Sequence, residues 1–253
     1  MPSTAAEPGS RPPVFLSGPA ALAADVVVLD GPEGRHAATV RRLVAGERVD
    51  LTDGAGQVAE CVVTAAGAGK LELRVLARRS EPRPDLVLVV AQALPKGDHG
   101  PLAVDLMTEG GVDVIVPWAA RRCVTRWEGA RGDRALARWR AAAVQAAKQS
   151  RRAWLPEVTA PVSTADLAGR VTAASLAVLL DPAGPVPLSA LDLPGSGDIL
   201  VIVGPEGGIS PEETAQLTRA GAVAARLGPT VLRASSAGLV AATIVASRAG
   251  RWG

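Results

Sequence analysis

Residues 199–213 read Ile-Leu-Val-Ile-Val-Gly-Pro-Glu-Gly-Gly-Ile-Ser-Pro-Glu-Glu. Five apolar residues stop at a glycine-rich loop, and a helix start follows at once. Ser210 is an N-cap residue, Pro211 suits the first helical position, and Glu213 stands where a capping box needs it. Gly207 and Gly208 permit positive φ and close approach of the main chain. Such a unit presents unpaired N–H groups at the carboxyl end of a strand, where open α/β sheets bind ligands. A tight turn with no ligand gives the same local pattern. Two phosphate loops are excluded: neither Gly-x-x-x-x-Gly-Lys-Ser/Thr nor Gly-x-Gly-x-x-Gly occurs here.

Outward from this unit, the apolar runs 86–94, 112–117, 176–180, 199–203 and 223–227 alternate with helical stretches. Near-continuous apolar strands separated by helices indicate a parallel sheet covered on both faces. The loops that follow three of these runs then emerge on one side. They are Asp181-Pro182-Ala183-Gly184, Gly204-Pro205-Glu206-Gly207-Gly208-Ile209, and Gly228 to Arg233. Together they would form a pocket of main-chain donors and acceptors with apolar walls from Leu179, Ile209, Val231 and Leu232, and with Arg233 as its fixed cation. Such a pocket suits a ligand carrying a base and an amino-acid moiety better than a triphosphate.

Before residue 84 the rhythm differs. Segments 26–29, 48–52, 57–64 and 70–76 are short, alternating and separated by turn residues, the pattern of a small β-barrel or sandwich. A helix-like piece, His36 to Leu43, interrupts them. Residues 78–84 read as a linker. The expected organisation is a loose tail over 1–12, a β-rich domain over 13–80 and an α/β domain over 84–253. Gly-Pro-Glu-Gly occurs twice, at 31–34 and 204–207, and the first copy reads as a plain turn.

Two cysteines and two histidines in 253 residues exclude a histidine-rich metal centre, and no disulfide or metal site is expected. No apolar run approaches the ~20 residues needed to cross a bilayer, so a cytoplasmic protein is expected. Charge is uneven: residues 119–152 hold ten Lys/Arg and two acids, while the remainder holds 17 basic and 23 acidic residues. Concentrated positive charge fits a polyphosphate partner. Within it, 133–152 reads as a helix carrying Arg138, Gln145, Gln149 and Arg152 on one face.

Taken together, Gly204-Pro-Glu-Gly-Gly-Ile-Ser210 and Leu227-Gly-Pro-Thr-Val-Leu-Arg233 resemble the small-subunit ribosomal RNA methyltransferase E family. So do Gln149 and Arg152 before Leu155-Pro156-Glu157, Lys96, Thr108 to Val112, and His36 with Arg41-Arg42. The resemblance covers residues 26–250. It implies a PUA-like RNA-binding barrel followed by a SPOUT-type domain threaded into a trefoil knot. It further implies S-adenosylmethionine as cofactor, a homodimer, and methylation of uridine N3 in 16S ribosomal RNA of the small subunit. Departures occur: Lys148-Gln149 replaces a common Glu-Gln, Ala234-Ser235-Ser236 a common Thr-Glu-Thr, and Gly110 a usual Leu. His99-Gly100-Pro101 and Leu106 also differ.

Under this resemblance Leu179, Asp181, Pro182, Gly204 to Ile209, Leu227, Gly228, Val231, Leu232 and Ser236 are expected at the cofactor. Arg233 would stabilise negative charge on the acceptor, or only tie down its loop. Glu206 could contact the cofactor, brace the turn or act as a base. His36, Arg41, Arg42, Lys96, Arg121, Arg122, Arg138, Gln149 and Arg152 are candidate RNA contacts. The apolar last helix, Ser235 to Arg248, suits a subunit interface or a core. A non-catalytic RNA-binding assembly factor with the same fold is the alternative function. A nucleotide hydrolase is disfavoured by the missing lysine.

Overall fold

A computed structural model describes residues 11–252, so most of the expected tail over 1–12 lies outside the described residues. The chain divides into two compact units, residues 1–83 with 147–155 and residues 84–146 with 156–253.

The first unit contains β1 (Val14–Leu16), α1 (Pro19–Ala23), β2 (Val26–Leu29), α2 (Gly31–Arg35), β3 (Arg48–Thr52), β4 (Gln57–Gly67) and β5 (Lys70–Ser80). They form one sheet in the order β1-β3-β4-β5-β2. Alternation decides the inward face: Val49, Leu51, Cys61, Val63, Leu71 and Leu73 are all essentially inaccessible. Phe15 of β1 and Val27 and Leu29 of β2 join the same core, so all five strands wrap a single interior. The β4–β5 hairpin turns through Ala68 (φ 49°) and Gly69 (φ 72°), the doubly left-handed pair that matches strand twist.

Several expected boundaries shift here. The first Gly-Pro-Glu-Gly is not a plain turn: it opens α2, which continues as a π-helix over His36–Val40. Pro32 in the first turn supplies the helical φ in advance. The expected linker 78–84 is too long, because β5 runs to Ser80 and pairs there with Gln57. Lys148 belongs to this unit and places its ammonium 2.7 and 2.9 Å from the two Glu33 carboxylate oxygens. The lysine side chain is only 9% exposed, so this pair is shielded from solvent.

The second unit is an α/β layer structure. Its strands are β6 (Leu86–Ala93), β7 (Val114–Trp118), β8 (Glu157–Val158), β9 (Leu176–Leu180), β10 (Val186–Pro187), β11 (Gly197–Val203) and β12 (Val223–Arg226). Its helices are α3 (His99–Glu109), α4 (Gly129–Gln149), α5 (Thr164–Ala173), α6 (Pro211–Arg219) and α7 (Ala234–Arg248). The seven strands lie in the order β10-β12-β9-β11-β6-β7-β8. Every pairing is parallel. The five apolar runs expected as strands are all present, and β11 is buried from Ile199 to Val203, as a strand covered on both faces must be. Helix α7 packs on α3, β6 and β11. Gly238 makes this possible, since a Cβ there would sit 2.7 Å from the Met107 sulfur. Gly110, where the resembling family usually has Leu, is closed by the same layer: a Cβ would lie 2.7 Å from Leu239 Cδ1.

The helix expected over 133–152 begins earlier and ends at Gln149. Arg151 then adopts φ 60°, outside the helix, so Arg152 does not share the face of Arg138, Gln145 and Gln149. From Ala147 onward the chain clusters with the first unit.

Candidate active site

The loop after β11 is built as its sequence requires. Ser210 Oγ accepts the Glu213 N–H at 3.3 Å, and Glu213 returns a carboxylate oxygen to the Ser210 N–H at 3.2 Å. The other Glu213 oxygen accepts the Arg121 N–H and the Thr164 hydroxyl, each at 2.8 Å. Burial pushes the Glu213 carboxyl pKa up, but these hydrogen bonds outweigh it and hold the group below its ordinary value. The α6 terminus is thereby tied to the segment after β7 and to α5.

Between β11 and this cap the chain turns through Pro205–Gly208, closed by the Gly208 N–H on the Pro205 carbonyl at 2.8 Å. Only Gly208 is left-handed, at φ 72°. The expectation that Gly207 also needs glycine's freedom does not hold: a Cβ there would meet nothing nearer than Arg122 Cβ at 3.5 Å. Gly207 instead offers its carbonyl to the Arg122 guanidinium at 3.1 Å. Gly204 is the tight position, where a Cβ would lie 2.6 Å from Ile209 Cγ1. Glu206 accepts the Lys96 N–H at 3.2 Å, so its carboxylate braces the turn.

Two further loops meet this one. After β9, Asp181 Oδ1 accepts the Ala183 N–H at 2.8 Å, and Gly184 runs so close to β12 that a Cβ would sit 2.6 Å from the Ala225 carbonyl carbon. After β12, residues 227–233 reach α7. The Arg233 carbonyl receives the Ser236 and Ala237 N–H groups, each at 3.0 Å, and the Ser236 hydroxyl at 3.2 Å. Val231 is 80% exposed.

These loops surround a cavity of about 710 Å³. Leu179, Asp181, Pro182, Gly204, Pro205, Glu206, Gly208, Ile209, Leu227, Gly228, Val231, Leu232 and Arg233 all line it. Gly207 and Ser236 do not; the one faces Arg122 and the other caps α7. His99, Thr214, Thr230 and Ser235 also line the cavity and were missed. His99 reaches it from the loop after β6, and Ser235 from the first turn of α7. The register of β6 beside β11 is the signal that could have found His99, and sequence periodicity does not carry it. Among the described residues, no cluster of three or more His, Cys, Asp or Glu could hold a metal ion. Cys123 is buried, and burial raises its thiol pKa. Burial likewise pushes Cys61 up to about 11. Neither is a thiolate nucleophile. No helix is long and apolar enough to cross a membrane among the described residues.

The candidate RNA residues are placed as follows. His36, Arg41 and Arg42 are exposed on the first unit, with His36 edge-on to Phe15 at 6.2 Å and Arg42 at φ 53°. Lys96 is exposed beside the Glu206 turn. Arg121 pairs with Glu212 at 3.3 Å and Arg138 with Asp98 at 2.9 Å, both on the surface. Gln149 is exposed, and Arg152 is half-buried beyond the helix. Arg122 is anchored to the Gly207 carbonyl, so it supports the turn whatever else it contacts.

Comparison with known proteins agrees with this geometry. A family model described as an RNA methyltransferase domain matches residues 82–246, and one described as an RNA methyltransferase PUA domain matches 29–76. The ribosomal RNA small subunit methyltransferase E of Mycobacterium bovis is 49% identical over 90% of this chain and 88% of its own. The Bacillus subtilis protein of that name is 28% identical over 86% and 88% of the two chains. A crystal structure of the Neisseria gonorrhoeae enzyme bound to S-adenosyl methionine superposes with a TM-score of 0.81 at 25% identity, covering 94% of this chain and 98% of that one. With this architecture, these two matched domains and a relative at 49% identity, the chain belongs to the ribosomal RNA small subunit methyltransferase E family.

Proposed function

We propose that the 710 Å³ cavity binds S-adenosylmethionine and that the protein methylates N3 of a uridine in 16S ribosomal RNA of the small subunit. The convergence of three strand-end loops on one cavity, with Arg233 on its wall, carries this reading. The site fits the cofactor. Gly204 and Gly184 bring main chain where a side chain would collide, the walls at Leu179, Ile209 and Leu232 are apolar, and Asp181 and Glu206 stand among main-chain polar groups. The printed name of the Neisseria structure supports the same ligand. When bound, S-adenosylmethionine supplies an already activated methyl group on a sulfonium.

The chain's own task is then alignment, exclusion of water and charge control. Uracil N3 carries a proton at neutral pH and must lose it before it can attack. The Arg233 guanidinium stabilises the resulting negative charge. Glu206, held by the Lys96 N–H, keeps the turn in shape. The RNA is gripped by the basic segment 119–152 and by His36, Arg41 and Arg42 of the PUA-like unit.

Two further features belong to this reading. The order β9-β11-β6 inserts a late strand between earlier ones, and α7 returns from β12 to pack on β6 and β11. That path supports a trefoil-knotted catalytic unit. The half-buried face of α7, with Leu239, Val240 and Ile244, supports a homodimer. Substrate and compartment then coincide in the cytoplasm. The test is to incubate the protein and labelled S-adenosylmethionine with small subunits that lack the modification and to map the labelled nucleoside. Label on N3-methyluridine is expected. Cofactor binding without transfer would favour a non-catalytic assembly factor.

A further inference from the structure

A separate cavity of about 460 Å³ lies in the second unit. The turn before and into α3 lines both cavities: His99 faces the first, while Gly97, Asp98, Gly100 and Pro101 face the second. Four arginines, Arg126, Arg131, Arg134 and Arg138, stand around it with a single acid, Asp98. Residues 131, 134 and 138 fall on one face of α4 by helical spacing. Two tryptophans complete the wall. Trp139 is buried against Gly100, where a Cβ would sit 2.5 Å from the indole nitrogen. Trp127 meets Trp139 edge-on with ring centroids 5.0 Å apart, and it is only half-buried.

The arginines are not equivalent. Arg126 is braced by the Ala120 and Arg121 carbonyls at 3.2 and 3.1 Å. Arg138 holds Asp98 at 2.9 Å. Arg131 and Arg134 make no hydrogen bond or ion pair with any described residue, and both are exposed. Two unengaged guanidinium groups beside two engaged ones repel one another unless an anion joins them. The planar guanidinium fork matches phosphate oxygens, and an indole face beside it accepts a base by stacking.

We infer that this cavity holds a nucleotide of the RNA substrate next to the one modified, its phosphate on Arg131 and Arg134 and its base against Trp127. The shared turn at 97–101 puts this subsite beside the cofactor cavity, at the distance a neighbouring nucleotide needs. The inference rests on the reading that RNA is the substrate and adds where the strand is gripped.

The test is the double variant Arg131→Glu, Arg134→Glu, at two exposed positions with no described partner to lose. Binding of a labelled single-stranded fragment of small-subunit RNA is followed by anisotropy across a salt series, with cofactor affinity measured in parallel. RNA affinity is expected to fall on the order of tenfold, and the log–log salt slope by about 1.4, at about 0.7 per phosphate contact. Cofactor affinity stays at the wild-type value. Arg131→Lys, Arg134→Lys keeps the slope. A mononucleotide competes for the fragment at lower concentration than inorganic phosphate. Unchanged RNA affinity and slope in the charge-reversed protein would overturn the inference and leave the methyltransferase reading standing. Equal potency of phosphate and mononucleotide would overturn the base contact. A wild-type protein that binds cofactor but no RNA removes the substrate reading itself, and this subsite with it.

Discussion

Replacing Gly208 by alanine isolates what the turn at the cofactor cavity requires. Its backbone sits at φ 72°, and a Cβ built there meets only the Arg122 guanidinium nitrogen at 3.8 Å. Steric collision with neighbours is therefore negligible, and the cost is conformational. Holding an L-residue in the left-handed region costs about 1–2 kcal/mol. If the variant escapes that strain, the Pro205–Gly208 turn opens and the loop leaves the cavity wall. Binding must restore it, so the dissociation constant for S-adenosylmethionine rises by roughly 5- to 30-fold, at tenfold per 1.4 kcal/mol. Gly207→Ala is the matched control. Its Cβ would lie at ordinary contact distance from Arg122 and its φ is not left-handed, so a change of less than about twofold is expected. Calorimetric titration of both proteins with S-adenosylmethionine gives the answer directly. A larger loss for Gly207→Ala than for Gly208→Ala, or wild-type affinity in both, would refute the assignment of strain to position 208.

Arg233→Ala is expected to lower kcat for methyl transfer by about 10²–10³ while cofactor affinity and thermal stability hold; single-turnover rates at saturating RNA decide it, and an unchanged rate removes Arg233 from the chemistry. Glu213→Gln should cost about 2 kcal/mol at neutral pH by weakening three charge-assisted hydrogen bonds. The folded carboxyl titrates below its ordinary 4.5, so the stabilisation is complete above that value and fades as pH falls through the folded pKa. Chemical denaturation should accordingly show the gap between Glu213→Gln and wild type closing in acid, and a gap independent of pH would contradict it. Lys148→Ala strands the shielded Glu33 carboxylate and should lose about 3 kcal/mol, whereas the exchange Glu33→Lys, Lys148→Glu should recover part of that loss. A double-mutant cycle with zero coupling would count against the pair.

Local signals were legible where the chain makes its own structure. The Ser210–Glu213 cap, the apolar strand before it and the glycine loop between them are short-range features, and the structure reproduces each. Main-chain detail within the loop was not legible. Composition marks both Gly207 and Gly208 as permissive, but only the turn's hydrogen bond decides which one is left-handed. The strands β1, β8 and β10 have two or three residues each, too few for any period to declare itself. The first Gly-Pro-Glu-Gly became a helix because Glu33 there answers Lys148 and the Leu16 N–H, partners remote in sequence. The same holds for His99 and Ser235, which reach the cavity through the order of strands. Arg122 carries a further lesson: charge pattern suggested nucleic acid, and geometry adds a brace on the Gly207 carbonyl.

The position of β11 has a consequence for biosynthesis. Leu86 faces Gly197, which is 111 positions later, and β11 fills the space between β6 and β9. As the nascent chain leaves the ribosome, β6 and β7 can find each other early, but one flank of β6 stays bare until β11 emerges. Parallel pairing across so long an interval is slow and leaves apolar edges exposed meanwhile. A protein whose family modifies ribosomal RNA would thus draw on chaperones late in its own translation, and its refolding from denaturant should be far slower than its size alone suggests.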